Sequence, residues 1–233
     1  RRAALAEPVY RQRLRQDMAA PKVAAFHRRW DMMRIVATVR PENRRFEGRD
    51  VAAMAAARNQ DPLDAFFDLS LEEGLETTFT SSNATGDPKA VGEILRSPYV
   101  LVGLSDAGAH VEFTANFGYA TTLLGLWVRR HGALSLEQAI HKLTFQVASI
   151  YGIEGRGLIR PGYAADMTAF DPQTVDAGDP EWAHDYPAGT RRLVQRSQGI
   201  CHTIVNGCPV FEYGKITGAM AGQVLRGQAF RPQ

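Results

Sequence analysis

Ser105, Asp106 and His110 are the side chains whose types and spacing best suit bond-making chemistry in this sequence. Asp106 follows the apolar run Tyr99-Val100-Leu101-Val102-Gly103-Leu104 and precedes Ala107-Gly108-Ala109-His110, a glycine-loosened turn. A carboxylate at the C-terminal end of a buried strand has a rigid support, where it can ligate a metal or take a proton from an attacking water. A hydroxyl one residue earlier can hold that carboxylate, and an imidazole four residues later can orient it or touch substrate. The same residues also have a plainer reading: Asp106 shapes a turn or caps the next helix, Ser105 packs closely, and His110 is a cap. Local sequence leaves both open.

Ser81, Ser82 and Asn83 end another short strand-like run, Thr77 to Ser81, and in a strand–helix barrel would open onto the same mouth. The remaining histidines fit structural roles better. His131 and His141 fall at a helix end and on a helix, where a dipole partner is the simpler reading, and His184 and His202 fall in a β-rich tail. Asp166 and Asp171 flank a strand and read as turn or edge residues.

The elements that would position these groups follow from hydrophobic spacing and caps. Residues 3–20 read as a helix, and Pro21 permits a second start toward Trp30. Ile35 to Val39 is a β-branched strand, and Val51 to Arg58 an alanine-rich helix. Asp61-Pro62 and Asp87-Pro88 each offer an N-cap followed by proline at the first helical position. The first opens a helix with Leu63, Phe66, Phe67 and Leu69 inward; the second carries an apolar stripe of Val91, Ile94 and Leu95. Residues 77–110 therefore read as strand, helix, strand, the unit of a parallel sheet or barrel. Tyr119 to Arg130 is a helix with Leu123, Leu126 and Trp127 on one side, stopped at His131-Gly132. Ser135-Leu136-Glu137-Gln138 is a capping box, from which Ile140, Leu143 and Val147 continue one face to Tyr151-Gly152. Beyond residue 152 glycines and prolines break the chain into short strands, with residues 179–192 read as a loop. The expected domains are accordingly 1–152 and 153–233.

Composition narrows the function classes. The chain of 233 residues has an ordinary globular composition and a formal net charge of +2. It has no apolar run long enough for a membrane helix and no signal-peptide pattern. Residues 1–49 carry thirteen Lys and Arg against five Asp and Glu. These arginines alternate with Leu5, Val9, Leu14, Met18, Val23 and Phe26, so a solvated helix face is a simpler reading than a nucleic-acid surface. Cys201 and Cys208 flank Asn206-Gly207, a two-residue hairpin signal. In that register Val205 faces Cys208 and Cys201 faces Glu212, which separates the two thiols by roughly 13 Å along the sheet. A disulfide is not expected, and reduced thiols suit a cytoplasmic protein.

Three stretches resemble the metal-dependent amidohydrolases, and within them the N-acyl-D-amino-acid deacylase, or D-aminoacylase-like, branch. Gly103-Leu104-Ser105-Asp106-Ala107-Gly108-Ala109-His110 is similar to the end of that family's eighth barrel strand. Residues 152–171, from Gly152-Ile153-Glu154-Gly155 through Pro161-Gly162-Tyr163-Ala164-Ala165-Asp166 to Asp171, resemble the passage from the last barrel helix to a small β-sandwich. Ile204-Val205-Asn206-Gly207, Gly214 to Gly218 and Leu225-Arg226-Gly227 resemble the closing hairpin and tail of that sandwich. Asp185-Tyr186-Pro187-Ala188-Gly189 and Thr217-Gly218-Ala219 narrow the likeness to the D-aminoacylase-like branch.

The resemblance implies an α/β fold: the C-terminal part of a (β/α)8 TIM-like barrel plus part of a small β-sandwich. It implies a small-molecule amide substrate, a zinc or other divalent cofactor, and Asp106 as both proton shuttle and metal ligand. Ser105, His110, Ser82 and Asn83 become the expected substrate-binding residues. The family's His-x-His pair does not occur, and His27 is the only histidine upstream of Asp106. One carboxylate cannot hold zinc. Because the chain also opens on Arg1 without an initiator methionine, the expectation is a C-terminal portion whose N-terminal barrel half is supplied elsewhere. Taken alone, the chain is expected to be inactive. No arginine lies between Asp106 and Arg129 to meet a substrate carboxylate, which leaves cyclic and linear amides open. The rival expectation is a metal-free relative that acts as a binding or assembly protein. No nucleic-acid or membrane partner is expected, and the oligomeric state is left open.

Overall fold

The computed structural model describes residues 2–19, 29–81, 87–103, 105 and 116–226, which fall into two compact units, Arg1–Gly86 and Asp87–Gln233. This division lies at a different place from the change of texture near residue 152.

In the first unit, α1 (Arg2–Ala6) and α2 (Pro8–Ala19) are separated at Glu7-Pro8, and they pack on α4 (Pro62–Glu72). Strand β1 (Met33–Ala37) pairs antiparallel with β2 (Thr78–Ser81), with Ile35 opposite Phe79. Helix α3 (Val51–Arg58) starts where the Asp50 carboxylate accepts the Ala53 N–H, and Asn59 closes it in the left-handed conformation. At α4 the Asp61 carboxylate accepts the N–H groups of Leu63 and Asp64, with Pro62 at the first position. Ile35, Phe46, Val51, Met54, Ala55, Ala65 and Leu69 form the core, with Trp30, Met33, Phe66 and Phe79 packed against it.

The basic opening segment docks by charge rather than by an apolar stripe. No residue of α1 or α2 is buried. Instead Arg11 donates to Asp64 (3.2 Å) and Asp68 (2.7 Å), and Arg15 pairs with Asp61 and Asp64. Arg2 donates to the Gly74 carbonyl at the far end of α4 (2.7 Å). The expectation of arginines on a solvated outer face is thus corrected for Arg11 and Arg15, while Arg2 stays exposed.

In the second unit, Asp87 caps α5 (Pro88–Arg96) through the Lys89 N–H, as its sequence anticipates. Helix α6 (Tyr119–Thr122) runs on as a π-helical segment, Leu123–Arg130, and ends at Gly132, whose φ is +57°. The capping box at Ser135 and Gln138 is complete at α7 (Leu136–Leu143). The backbone breaks at Thr144 (φ −124°, ψ −89°) before α8 (Phe145–Ile150), so the single face expected from Ile140 to Val147 belongs to two helices. Strands β3 (Met167–Phe170), β6 (Ile200–Val205), β7 (Cys208–Glu212) and β8 (Lys215–Ile216) form one antiparallel sheet in the order β3-β6-β7-β8. Strands β4 (Asp176–Ala183) and β5 (Arg192–Gln198) form a separate hairpin. Residues 179–183 and 192 of the expected loop 179–192 are therefore strand, and 184–191 form the connection between them. The Arg191 guanidinium over the Trp182 ring (4.4 Å) and the Arg192–Asp185 pair hold together the turn that joins the strands.

The Asn206-Gly207 turn has positive φ at both residues, as a hairpin of this length requires. Val205 faces Cys208 as expected, but Glu212 faces His202 rather than Cys201. A bulge causes the slip. Pro209 has no N–H to give the ladder, Val210 is left as the extra residue, and the carbonyls of both are taken by Thr217. Both cysteines are free thiols.

The strand–helix–strand unit expected over 77–110 is not formed among the described residues, where every strand pair is antiparallel. Residues 99–103 pair with no strand, and Tyr99 is 94% exposed in a turn after Pro98. A parallel strand needs neighbours far away in sequence. Here Lys142 of α7 meets the Val100 carbonyl, and just before the run Lys142 and Gln146 of α8 meet the carbonyls of Ser97 and Pro98. Ile94, expected inward, is exposed, whereas Leu95 reaches the core of Leu123, Leu124, Leu134, Ala139 and Val175.

Candidate functional site

Asp106, His110, Ser82 and Asn83 lie outside the described residues. Ser105 is half-buried. What the structure brings together is the support for the run that ends in Ser105. Lys142 on α7 is 5% exposed, and its Nζ donates to the carbonyls of Ser97 (2.7 Å) and Val100 (2.9 Å). Gln146 on α8 donates to the Pro98 carbonyl (2.8 Å), and Arg96 donates to the Ala133 carbonyl (3.1 Å). Val102 packs against the core under α7, and the space beside the Gly103 α-carbon is bounded by Val147. Burial lowers the Lys142 pKa, because the ammonium has left water for two neutral acceptors. An ammonium taken from water is expensive unless its protons are bonded, which is what the two carbonyls do.

Sequence reading passed over Lys142. No local signal marks it, because its acceptors lie more than forty residues away in the chain.

Arg129 does not stand ready for a substrate carboxylate. It donates to the carbonyls of Val175 (2.6 Å) and Pro172 (3.3 Å) and to the Asp176 carboxylate (2.9 Å), while Arg130 closes on the same carboxylate. Burial pushes the Asp176 carboxyl up, but the bonds from Arg130 and the Ala177 N–H and the charges of Arg130 and Arg129 outweigh it and bring the pKa down. The carboxylate rests on Gly125, where a methyl group would lie 2.5 Å from its carbon.

The other candidates are structural where they are described. Asp166 pairs with Arg156 and accepts the Asn206 N–H (2.8 Å). Asp171 accepts from the Gln173 N–H and the Thr174 hydroxyl in a turn. His131 sits beside Trp127, His141 beside Phe145, and His202 beside Tyr213 and Glu212.

Among the described residues, no three His, Cys, Asp or Glu side chains come together as a metal site. Those residues by themselves do not fit a zinc ion, which needs at least three such ligands.

The amidohydrolase family model matches residues 2–211, and the chain belongs to that family. Within it, the chain is 32% identical over 180 residues to the D-aminoacylase of Alcaligenes xylosoxydans xylosoxydans, covering 76% of this chain and 34% of that protein. It is 43% identical over 144 residues to an N-acyl-D-aspartate deacylase of the same organism, covering 60% of this chain and 26% of the relative. Among solved structures, it is similar to the N-acyl-D-glutamate deacylase of Bordetella bronchiseptica, complexed with zinc and a phosphonate inhibitor. That likeness has 24% identity, a TM-score of 0.43, and coverage of 85% of this chain and 38% of the other. The chain spans about a third of the length of the curated relatives it matches.

Proposed function

We propose that this chain is the C-terminal part of a metal-dependent amidohydrolase that hydrolyses non-peptide C–N bonds, with N-acyl-D-amino acids as its substrate class. The observation that carries the reading is the family match over residues 2–211, together with relatives that are D-aminoacylase and N-acyl-D-aspartate deacylase. In this reading residues 1–152 belong to the barrel and 153–233 to the sandwich. The rest of the barrel, with the histidine ligands, comes from outside these residues. The free thiols of Cys201 and Cys208 suit a cytoplasmic setting.

Asp106 is the residue on which the chemistry rests. Its carboxylate takes a proton from the attacking water and returns it to the departing nitrogen, because an amine leaves poorly unless protonated. Ser105 holds that carboxylate, and His110, Ser82 and Asn83 contact the substrate. Zinc, or another divalent ion, is the cofactor of the complete enzyme, where it would polarise the carbonyl and acidify water; Asp106 is the ligand these residues offer it.

Asp106→Asn in the complete polypeptide tests the reading. Turnover of N-acetyl-D-amino acids should fall by roughly 10²–10⁴-fold. Turnover equal to the parent's would replace the reading with that of a non-catalytic binding or assembly protein.

A further inference from the structure

We infer that Lys142 is a positioning residue for the proposed hydrolysis, and this rests on the reading that Asp106 carries the proton. Its ammonium ties α7 to the carbonyls of Ser97 and Val100 and so fixes the course of residues 97–103, from which the chain continues to Ser105 and Asp106.

Three observations support a built tie rather than a chance contact. Lys142 is among the few buried polar or charged residues described. One of its acceptors, Val100, lies in the run that the sequence marks as the carrier of the site, and the other, Ser97, lies two residues before that run. The neighbouring Gln146 makes a parallel bond to Pro98, so two consecutive helices hold residues 97–100 from one side. Among the described residues no strand pairs with residues 99–103, so the bonds to Ser97, Pro98 and Val100 are what hold the start of the run. A shift of an ångström at a catalytic group can cost two orders of magnitude in rate, even when its cause lies far from the chemistry. Holding the run at Ser97 and Val100 therefore controls kcat more than substrate affinity.

The test is made in the complete polypeptide, loaded with zinc, using N-acetyl-D-aspartate and N-acetyl-D-glutamate as substrates. Lys142→Met keeps the stem and removes the donors. The expected result is a kcat lower by roughly 10²-fold with KM little changed, and faster amide hydrogen exchange confined to residues 97–103. Parent-like kcat, or exchange that rises throughout the unit with kcat and KM failing together, would overturn the inference and leave Lys142 as a packing residue. Should Lys142→Met fail to fold, Lys142→Arg decides. A planar guanidinium cannot reproduce a point donor to both carbonyls, so a folded enzyme with lowered kcat and unchanged KM is expected, and parent kcat overturns the inference. Asp106→Asn is measured alongside. If it keeps parent activity, the functional reading itself fails. If it is inactive while the Lys142 variants are normal, only the positioning role fails.

Discussion

Glu73 shows what a single buried carboxylate does for the first unit. It is 4% exposed, and it accepts the Val39 N–H, the Arg40 N–H (3.1 Å) and the Asn43 amide (2.6 Å), fastening the loop after β1 to the end of α4. Burial raises its pKa, but the bonds from Asn43, Val39 and Arg40 together outweigh burial and leave it below the ordinary glutamate value. A carboxyl lowered in the folded state gives stability that is full above its unfolded pKa and is lost as pH falls through the folded one. The first unit should therefore weaken as pH drops below about 4.3. Glu73→Gln should cost about 1–3 kcal/mol at neutral pH, because the amide turns donors toward donors, and should flatten the acid limb. Equilibrium unfolding at neutral and acid pH reads both effects; an unchanged acid limb would contradict the assignment. Caps at Asp61, Asp87 and Ser135 are local devices, with donor and acceptor within three residues, and they are legible in the sequence. Glu73 and Lys142 are not, because their partners lie thirty or more residues away.

At the scale of elements, two contacts give opposite lessons about glycine and arginine. Gly125 sits in the π-helical segment, where replacing glycine by alanine ordinarily favours a helix. Its α-carbon carries the Asp176 carboxylate, so Gly125→Ala should instead destabilise by about 1–3 kcal/mol through overpacking and loosen the Arg129 and Arg130 pairs. A melting temperature raised by the substitution would contradict this. The α1–α2 segment, by contrast, is held to α4 mainly by ion pairs, with the Arg11 side chain only 12% exposed. Screening in about 1 M salt should weaken that docking, read as faster hydrogen exchange in α1 and α2 with α3 and α4 unchanged; protection that survives high salt would contradict it. Sequence periodicity placed those arginines outward because it weighs apolar spacing and cannot see Asp61, Asp64 and Asp68 on another helix. The apolar residues 99–103 misled for a related reason. Their composition suits a strand, but a strand exists only where a neighbouring strand pairs with it, and none does among the described residues, where Lys142 of α7 meets the Val100 carbonyl instead.

For the whole molecule, family membership and the mixed helix–sheet character were legible in short motifs: Gly103 to His110, the Gly-rich passage after residue 152, and the Asn-Gly hairpin. Such motifs are readable because turns and caps demand particular residues. The division after Gly86 was not legible, since it depends on which helices pack together rather than on any breaker in the sequence. The chain covers about a third of its curated relatives, and the proposed function therefore places its chemistry in a longer polypeptide, where it is tested. The direct measurement is steady-state hydrolysis of N-acetyl-D-amino acids by that polypeptide, with and without Asp106→Asn, at matched zinc content. The account predicts turnover by the parent and a loss of roughly 10²–10⁴-fold in the variant; equal rates in the two would contradict it.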